Sequence, residues 1–134
     1  MEEIIEQLRE MSEDVSLPLD LPTDDDVLEV VEAILIPLPH DLRTYLLEVS
    51  DVIVGAIEPV TAADERSHTY LPEVAATAWS VGLPRDYIPV CEYDGGYAAI
   101  SQDGKVSFWV NGDFTEEWED FWYWCRDVWL DRAV

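Results

Sequence analysis

Basic residues are scarce in this chain: 7 lysines and arginines stand against 30 aspartates and glutamates, a formal net charge of -23. A field of that sign repels nucleic acid and anionic membrane and accelerates encounter with basic proteins, so neither of the first two is expected as a partner. The two cysteines, Cys91 and Cys125, are too few for a disulfide framework and form no Cys-x-x-Cys pair, which leaves reduced, packed thiols as the expectation. No run approaches the roughly 20 apolar residues needed to span a bilayer. The opening MEEIIEQLRE has neither the basic nor the apolar region of a signal peptide, so a cytoplasmic location is expected. Catalytic motifs are wanting too: there is no glycine-rich phosphate loop, no Gly-x-Ser-x-Gly elbow, no His-Glu-x-x-His helix and no calcium loop. His40 follows a proline at a helix start and His68 sits in a polar loop, neither beside a serine or cysteine with the look of a nucleophile. Asp24, Asp25 and Asp26 are accounted for by the first turn of a helix, where acidic side chains meet the positive end of the dipole. A carboxylate pair for hydrolysis carries no information here, because among 30 acidic residues some pair always has the right separation. No catalytic residue, metal or cofactor is expected.

What is present is a core. The chain has 134 residues, 49% of them apolar and six of them Trp, which excludes disorder and suits one domain spanning residues 1–134. Gly82 to Val110 dictates its own local geometry. Asp94-Gly95-Gly96 and Asp103-Gly104 supply the positive φ that hairpin turns need, between runs rich in Val, Ile, Tyr, Phe and Trp. The prediction is a three-stranded antiparallel meander. Alternation puts Ile88, Val90, Ala98, Ile100, Val106, Phe108 and Val110 on one face and Tyr87, Cys91, Tyr93, Tyr97 and Trp109 on the other. The first face is the natural core; the aromatic face lies either under another layer or open as a contact surface.

Around the meander, helices are predicted at residues 2–13 (Ile4, Ile5, Leu8 and Met11 inward) and after a Thr23 or Asp24 cap (Val27, Leu28, Val31, Ile34 and Leu35 as one stripe). Ser16 to Thr23, with two prolines, is an extended connection. A third helix, HDLRTYLLEV, buries Leu42, Tyr45, Leu46 and Val49. Val52 to Ile57 reads as a strand, with Gly55 marking a bulge or the close approach of another backbone. Thr61 to Tyr70 is loop. Pro72 opens a helix that packs through Val74, Ala75, Ala78 and Trp79. A last helix is predicted from Asp113 or Thr115 to Asp131, gathering Phe114, Trp118, Phe121, Trp122, Cys125, Val128 and Trp129 on one side. Tyr123 and Leu130 fall on its acidic side as a small apolar island ringed by carboxylates. The fold class is therefore α+β: an antiparallel sheet of about four or more strands packed against several helices, with helices at both ends of the chain.

LPHDLRTYLLEV (Leu38 to Val49) is similar to the Leu-Pro-x-Asp helix of the SUKH superfamily, and YIPVCEYDGGYAAISQDGKVSFW (Tyr87 to Trp109) resembles that superfamily's run of strands and Asp-Gly turns. The likeness covers Leu38 to Trp129. Ser50-Asp51 stands where the group commonly has Asn-Gly, and the closing helix is richer in Trp. The resemblance implies helices against one antiparallel sheet and no enzyme activity. It also implies a protein-binding role like that of yeast cell-wall synthesis regulators or of bacterial immunity proteins, which neutralise a cognate toxin. With the acidity, a basic toxin such as a nuclease is the expected partner; an intracellular regulatory or scaffold module is the alternative. Candidate contact residues, chosen for exposure and chemistry, are Glu92, Tyr93, Asp94, Tyr97 and Trp109 around the first hairpin, and Glu116, Glu119, Tyr123 and Asp127 on the last helix.

Overall fold

Two Asp-Gly turns and one Asn-Gly turn fold the second half of the chain into a four-stranded antiparallel sheet of order β1-β2-β3-β4, with β1 Ile88–Tyr93, β2 Gly96–Ile100, β3 Val106–Val110 and β4 Asp113–Trp118. The computed structural model describes residues 1–15 and 18–134. Of the extended connection expected from Ser16 to Thr23, Ser16 and Leu17 lie outside the described residues, and residues 18–23 form neither helix nor strand. Among the described residues five helices surround the sheet: α1 Glu2–Met11, α2 Asp24–Ile34, α3 His40–Glu48, α4 Leu71–Ser80 and α5, a continuous run over residues 121–133. This is the expected α+β architecture.

The helices start where their caps permit. Thr23 caps α2 with a reciprocal box: its hydroxyl accepts from the Asp26 N–H at 3.1 Å while the Asp26 carboxylate accepts from the Thr23 N–H at 2.8 Å. α3 buries Leu42, Tyr45 and Leu46, followed by Val49, and α4 opens with Pro72 in its first turn, both as their spacing predicts. The main core lies between one face of the sheet and α1, α3 and α5. Leu8, Tyr45, Leu46, Ile88, Ile100, Phe121, Trp124 and Trp129 meet there with almost no exposed surface. A second, smaller cluster covers the other face: Ala78 and Leu83, with Trp79 half-buried, lie over Tyr97, Ala99 and Trp109.

Several expectations are corrected. Residues 52–57 are buried but form no strand, because their backbone groups bond to side chains and loops elsewhere. The Ile53 N–H donates to Ser12 Oγ at 3.1 Å, the Gly55 N–H to Glu13 Oε2 at 3.2 Å, and the Val54 carbonyl accepts from Trp129 Nε1 at 3.0 Å. Gly55 itself has φ +63°, and a Cβ there would meet Ala133 at 3.2 Å, so it marks the close approach of another backbone. Residues 113–118 are strand, not helix: Asn111 and Gly112, with φ of 53° and 86°, turn the chain back so that Asp113 pairs Val110, and the helix waits for Asp120, whose carboxylate accepts from the Tyr123 N–H at 2.9 Å. The stripe on α2 is Val27, Val30 and Ile34, leaving Leu28 and Leu35 in solvent. On the sheet, a bulge at Val90 shifts the pairing so that Cys91 opposes Ala98 and Tyr93 opposes Gly96, which carries both side chains from the aromatic face into the main core.

The last helix departs from 3.6-residue spacing for a local reason. After Phe121–Trp124 it widens into a π segment, Cys125–Leu130, before closing as Asp131–Ala133. Bonds from i to i+5 turn the helix by less per residue than the α form. Leu130 therefore swings into the core, only 8% exposed, and Tyr123 is left at the surface without it.

Candidate protein-interaction surface

The charge of the chain is arranged so that acid faces outward unopposed. Of the 7 basic residues, Arg9, Arg43, Lys105, Arg126 and Arg132 each sit in an ion pair with a carboxylate of the same chain. His68 adds a contact to Glu58 at 2.9 Å, with both side chains largely exposed. These exposed pairs contribute little stability, and they leave most of the carboxylates without a cation of the same chain beside them.

The candidate residues separate into three places. At the tip of the first hairpin, Asp94 occupies a left-handed turn position (φ 51°) and receives a bidentate contact from the Arg132 guanidinium at the end of α5. The hydrogen bonds from Arg132 hold the Asp94 carboxyl below the usual carboxylate range. Arg132 also lies over the Tyr93 ring at 5.0 Å. Tyr93 is half-buried: its hydroxyl accepts from Trp124 Nε1 at 3.1 Å and its ring packs 4.9 Å from Phe108, and burial pushes its pKa up to about 12. The Glu116 charge acts on both Tyr93 and Arg132, so Tyr93, Asp94, Glu116 and Arg132 form one patch joining the hairpin, β4 and α5.

The second place is the outer side of the α5 start. Glu119, Tyr123 and Asp127 are exposed there, with Arg126 paired to Asp127 at 2.9 Å and lying 4.7 Å from the centre of the Tyr123 ring. An open groove of about 430 Å³ runs beside Tyr123, bounded by Met1, by Glu3 and Ile4 of α1 and by Asp41 and Trp122. The third place is the opposite face of the sheet. Tyr97 and Trp109 are each 6% exposed beneath α4, with Glu92 on the rim opposite Tyr97. Burial first, then the Glu92 charge, raises the Tyr97 pKa. The aromatic face is thus covered at its centre, and only Phe114 at its edge keeps substantial exposure, its ring 4.7 Å from that of Tyr87.

Cys91 and Cys125 are free and buried, and burial raises both thiols, Cys91 to about 12. Among the described residues no group of three or more His, Cys, Asp or Glu side chains is placed to hold a metal ion, and no helix is long and apolar enough to cross a membrane. Asn111-Gly112, the signal for β4 and hence for where Glu116 sits, stands in the sequence beside the helical spacing that obscured it.

A family model described as SMI1-KNR4 cell-wall, SUKH_5, matches residues 1–130. Among solved structures, a protein from Pseudomonas syringae pv. tomato is similar: it is 49% identical, superimposes with a TM-score of 0.93, and the match covers 98% of this chain and 99% of that one. No curated protein matches the chain.

Proposed function

The chain belongs to the SMI1-KNR4 cell-wall family, SUKH_5, and from that premise we propose that it is a non-enzymatic protein-binding domain: an immunity protein that occludes a cognate, basic toxin of the nuclease type. The observation that carries the reading is the excess of exposed acid, -23 overall, on a surface where five of the seven cations are already paired within the chain. Such a surface accelerates association with a cationic protein and makes the rate fall with salt. In this proposal the contacts are Glu92, Asp94, Glu116, Glu119, Tyr123 and Asp127, with Tyr93 backing the hairpin patch. Tyr97 and Trp109, under α4, hold the hairpin from behind.

The test is coexpression with the toxin candidate encoded by an adjoining reading frame, scoring protection of the cell and copurification. No protection together with no copurification would end the immunity reading. A doubly reversed Glu119→Lys/Asp127→Lys variant is expected to lose on-rate; binding at wild-type rate would take the α5 patch out of the interface. A second reading, an intracellular regulatory module with no toxin to neutralise, is favoured by the cell-wall regulators after which the family is described. A gene with no toxin-like neighbour and a copurifying endogenous partner would support it.

A further inference from the structure

The outer side of α2 carries an apolar stripe that the fold does not use. Val27, Val30 and Ile34 face the core, whereas Leu28 and Leu35 are 53% and 78% exposed and Val31 is half-buried between them. At about 100° per residue Leu28, Val31 and Leu35 line up on one side, rotated roughly a quarter-turn from the buried face. Pro37 and Leu38 extend the stripe into an open groove of about 480 Å³, with Asp24 and Asp25 at one end and Arg43 beside them. Asp25, Glu29 and Glu32, all exposed, fall in a row along its outer edge.

Leu35 is the least expected residue of the set. It caps the helix at φ 64°, ψ 21°, a left-handed conformation that favours glycine or asparagine, with its N–H on the Val31 carbonyl at 2.9 Å. The geometry is held from outside the helix, since Arg85 stacks on Trp79 and donates to the Ile34 carbonyl just before it. A leucine here bears backbone strain and recovers almost no burial within the chain.

We propose that Leu28, Val31 and Leu35 form a docking ridge for an amphipathic segment of a protein partner whose apolar side is flanked by lysine or arginine. The partner's cations would face the Asp25, Glu29 and Glu32 row. A second copy of this chain is the poorer occupant, because it brings the same acidic row and a charge of -23 to a self-complementary contact. The proposal rests on the protein-binding reading above but assigns a surface on a different element from the hairpin and α5 patches.

The experiment is a methyl NMR titration of the full chain with three synthetic helical peptides: leucine-faced with flanking lysines, the same with glutamates for the lysines, and a scrambled lysine version. The lysine peptide is expected to shift the Leu28, Val31 and Leu35 methyls. Its affinity should fall about tenfold in Leu28→Ser and in Leu35→Gly, the loss of one well-buried leucine contact. Leu35→Gly should melt no lower than the parent, because glycine relieves the left-handed strain. Shifts centred elsewhere, equal binding of all three peptides, or undiminished binding by Leu35→Gly would overturn the proposal. So would a dimer of the free chain that Leu35→Gly dissociates, which would give the ridge to a second copy. Full copurification of a toxin by Leu28→Ser/Leu35→Gly, lost in Glu119→Lys/Asp127→Lys, would remove this ridge and leave the immunity reading standing. Peptide shifts on α2 without any toxin partner would do the reverse.

Discussion

Replacing Trp129 by Phe tests whether α5 holds the irregular segment 52–57 in place. Trp129 is 1% exposed, its ring centre 6.0 Å from Tyr45 and 6.5 Å from Trp124, and its indole N–H is the donor to the Val54 carbonyl. Phenylalanine keeps a ring but loses the pyrrole portion, a loss of about 1–2 kcal/mol with the small cavity it leaves. The stranded Val54 carbonyl, buried with no strand partner, adds about 1–3 kcal/mol. The sum is about 3 kcal/mol, which for a domain of this size lowers Tm by about 10 °C and the urea midpoint by about 2 M. Urea titration followed by circular dichroism measures it without relying on the tryptophan being removed. Ser12→Ala is the control: it strips the acceptor from the Ile53 N–H, which is only part-buried, so water replaces it at about 0.5–1 kcal/mol. If Trp129→Phe cost no more than Ser12→Ala, the claim that side chains stand in for a strand partner along this segment would be refuted.

Gly96→Ala should be more damaging than its size suggests: the new Cβ would lie 2.4 Å from the Trp109 carbonyl and 2.8 Å from the Phe108 ring, so β2 must part from β3 at about 3 kcal/mol, and wild-type stability in urea would contradict the packing. Asp94 should titrate below the ordinary carboxylate range by NMR, and Arg132→Gln should return it there. Its pKa is lower folded than unfolded, so the hairpin tie is fully present above the unfolded value and is lost as pH falls through the folded one. Cys91 and Cys125 should both be silent to a thiol reagent near pH 8 in the native protein and both react in urea; a native thiol that reacts at the free-cysteine rate would show that the core opens.

The meander was legible because Asp94-Gly95 and Asp103-Gly104 demand turns whatever surrounds them, and α3 and α4 were legible because one face of each meets the core directly. Where the reading failed, the deciding contact came from elsewhere. The alternation through Val90 predicts Cys91 and Tyr93 on the aromatic face; one bulged residue reverses them. Helical spacing can be found in residues 113–118, yet β3 offers them a hydrogen-bond ladder and Asn111-Gly112 delivers them to it. Leu130 was misplaced because the π segment alters the angle on which the periodicity depends. Of the candidate contact residues, the acidic ones stand exposed, as charged side chains on half-buried elements must. Tyr97 and Trp109 are hidden by α4, a packing that no local pattern around the hairpin announces. Leu28 and Leu35 joined the inward stripe on paper because hydrophobicity does not say which of two adjacent helical faces a protein keeps for itself.

Because Phe121 and Trp129 close over Tyr45, and residue 129 reaches back 75 positions to residue 54, the interior cannot be finished until residue 129 has left the ribosome. Nascent chains must carry Leu42, Leu46 and their neighbours uncovered until that point, a window in which chaperones and aggregation compete for them. Any premature stop before residue 121 should yield a product that is degraded instead of one that is merely weakened.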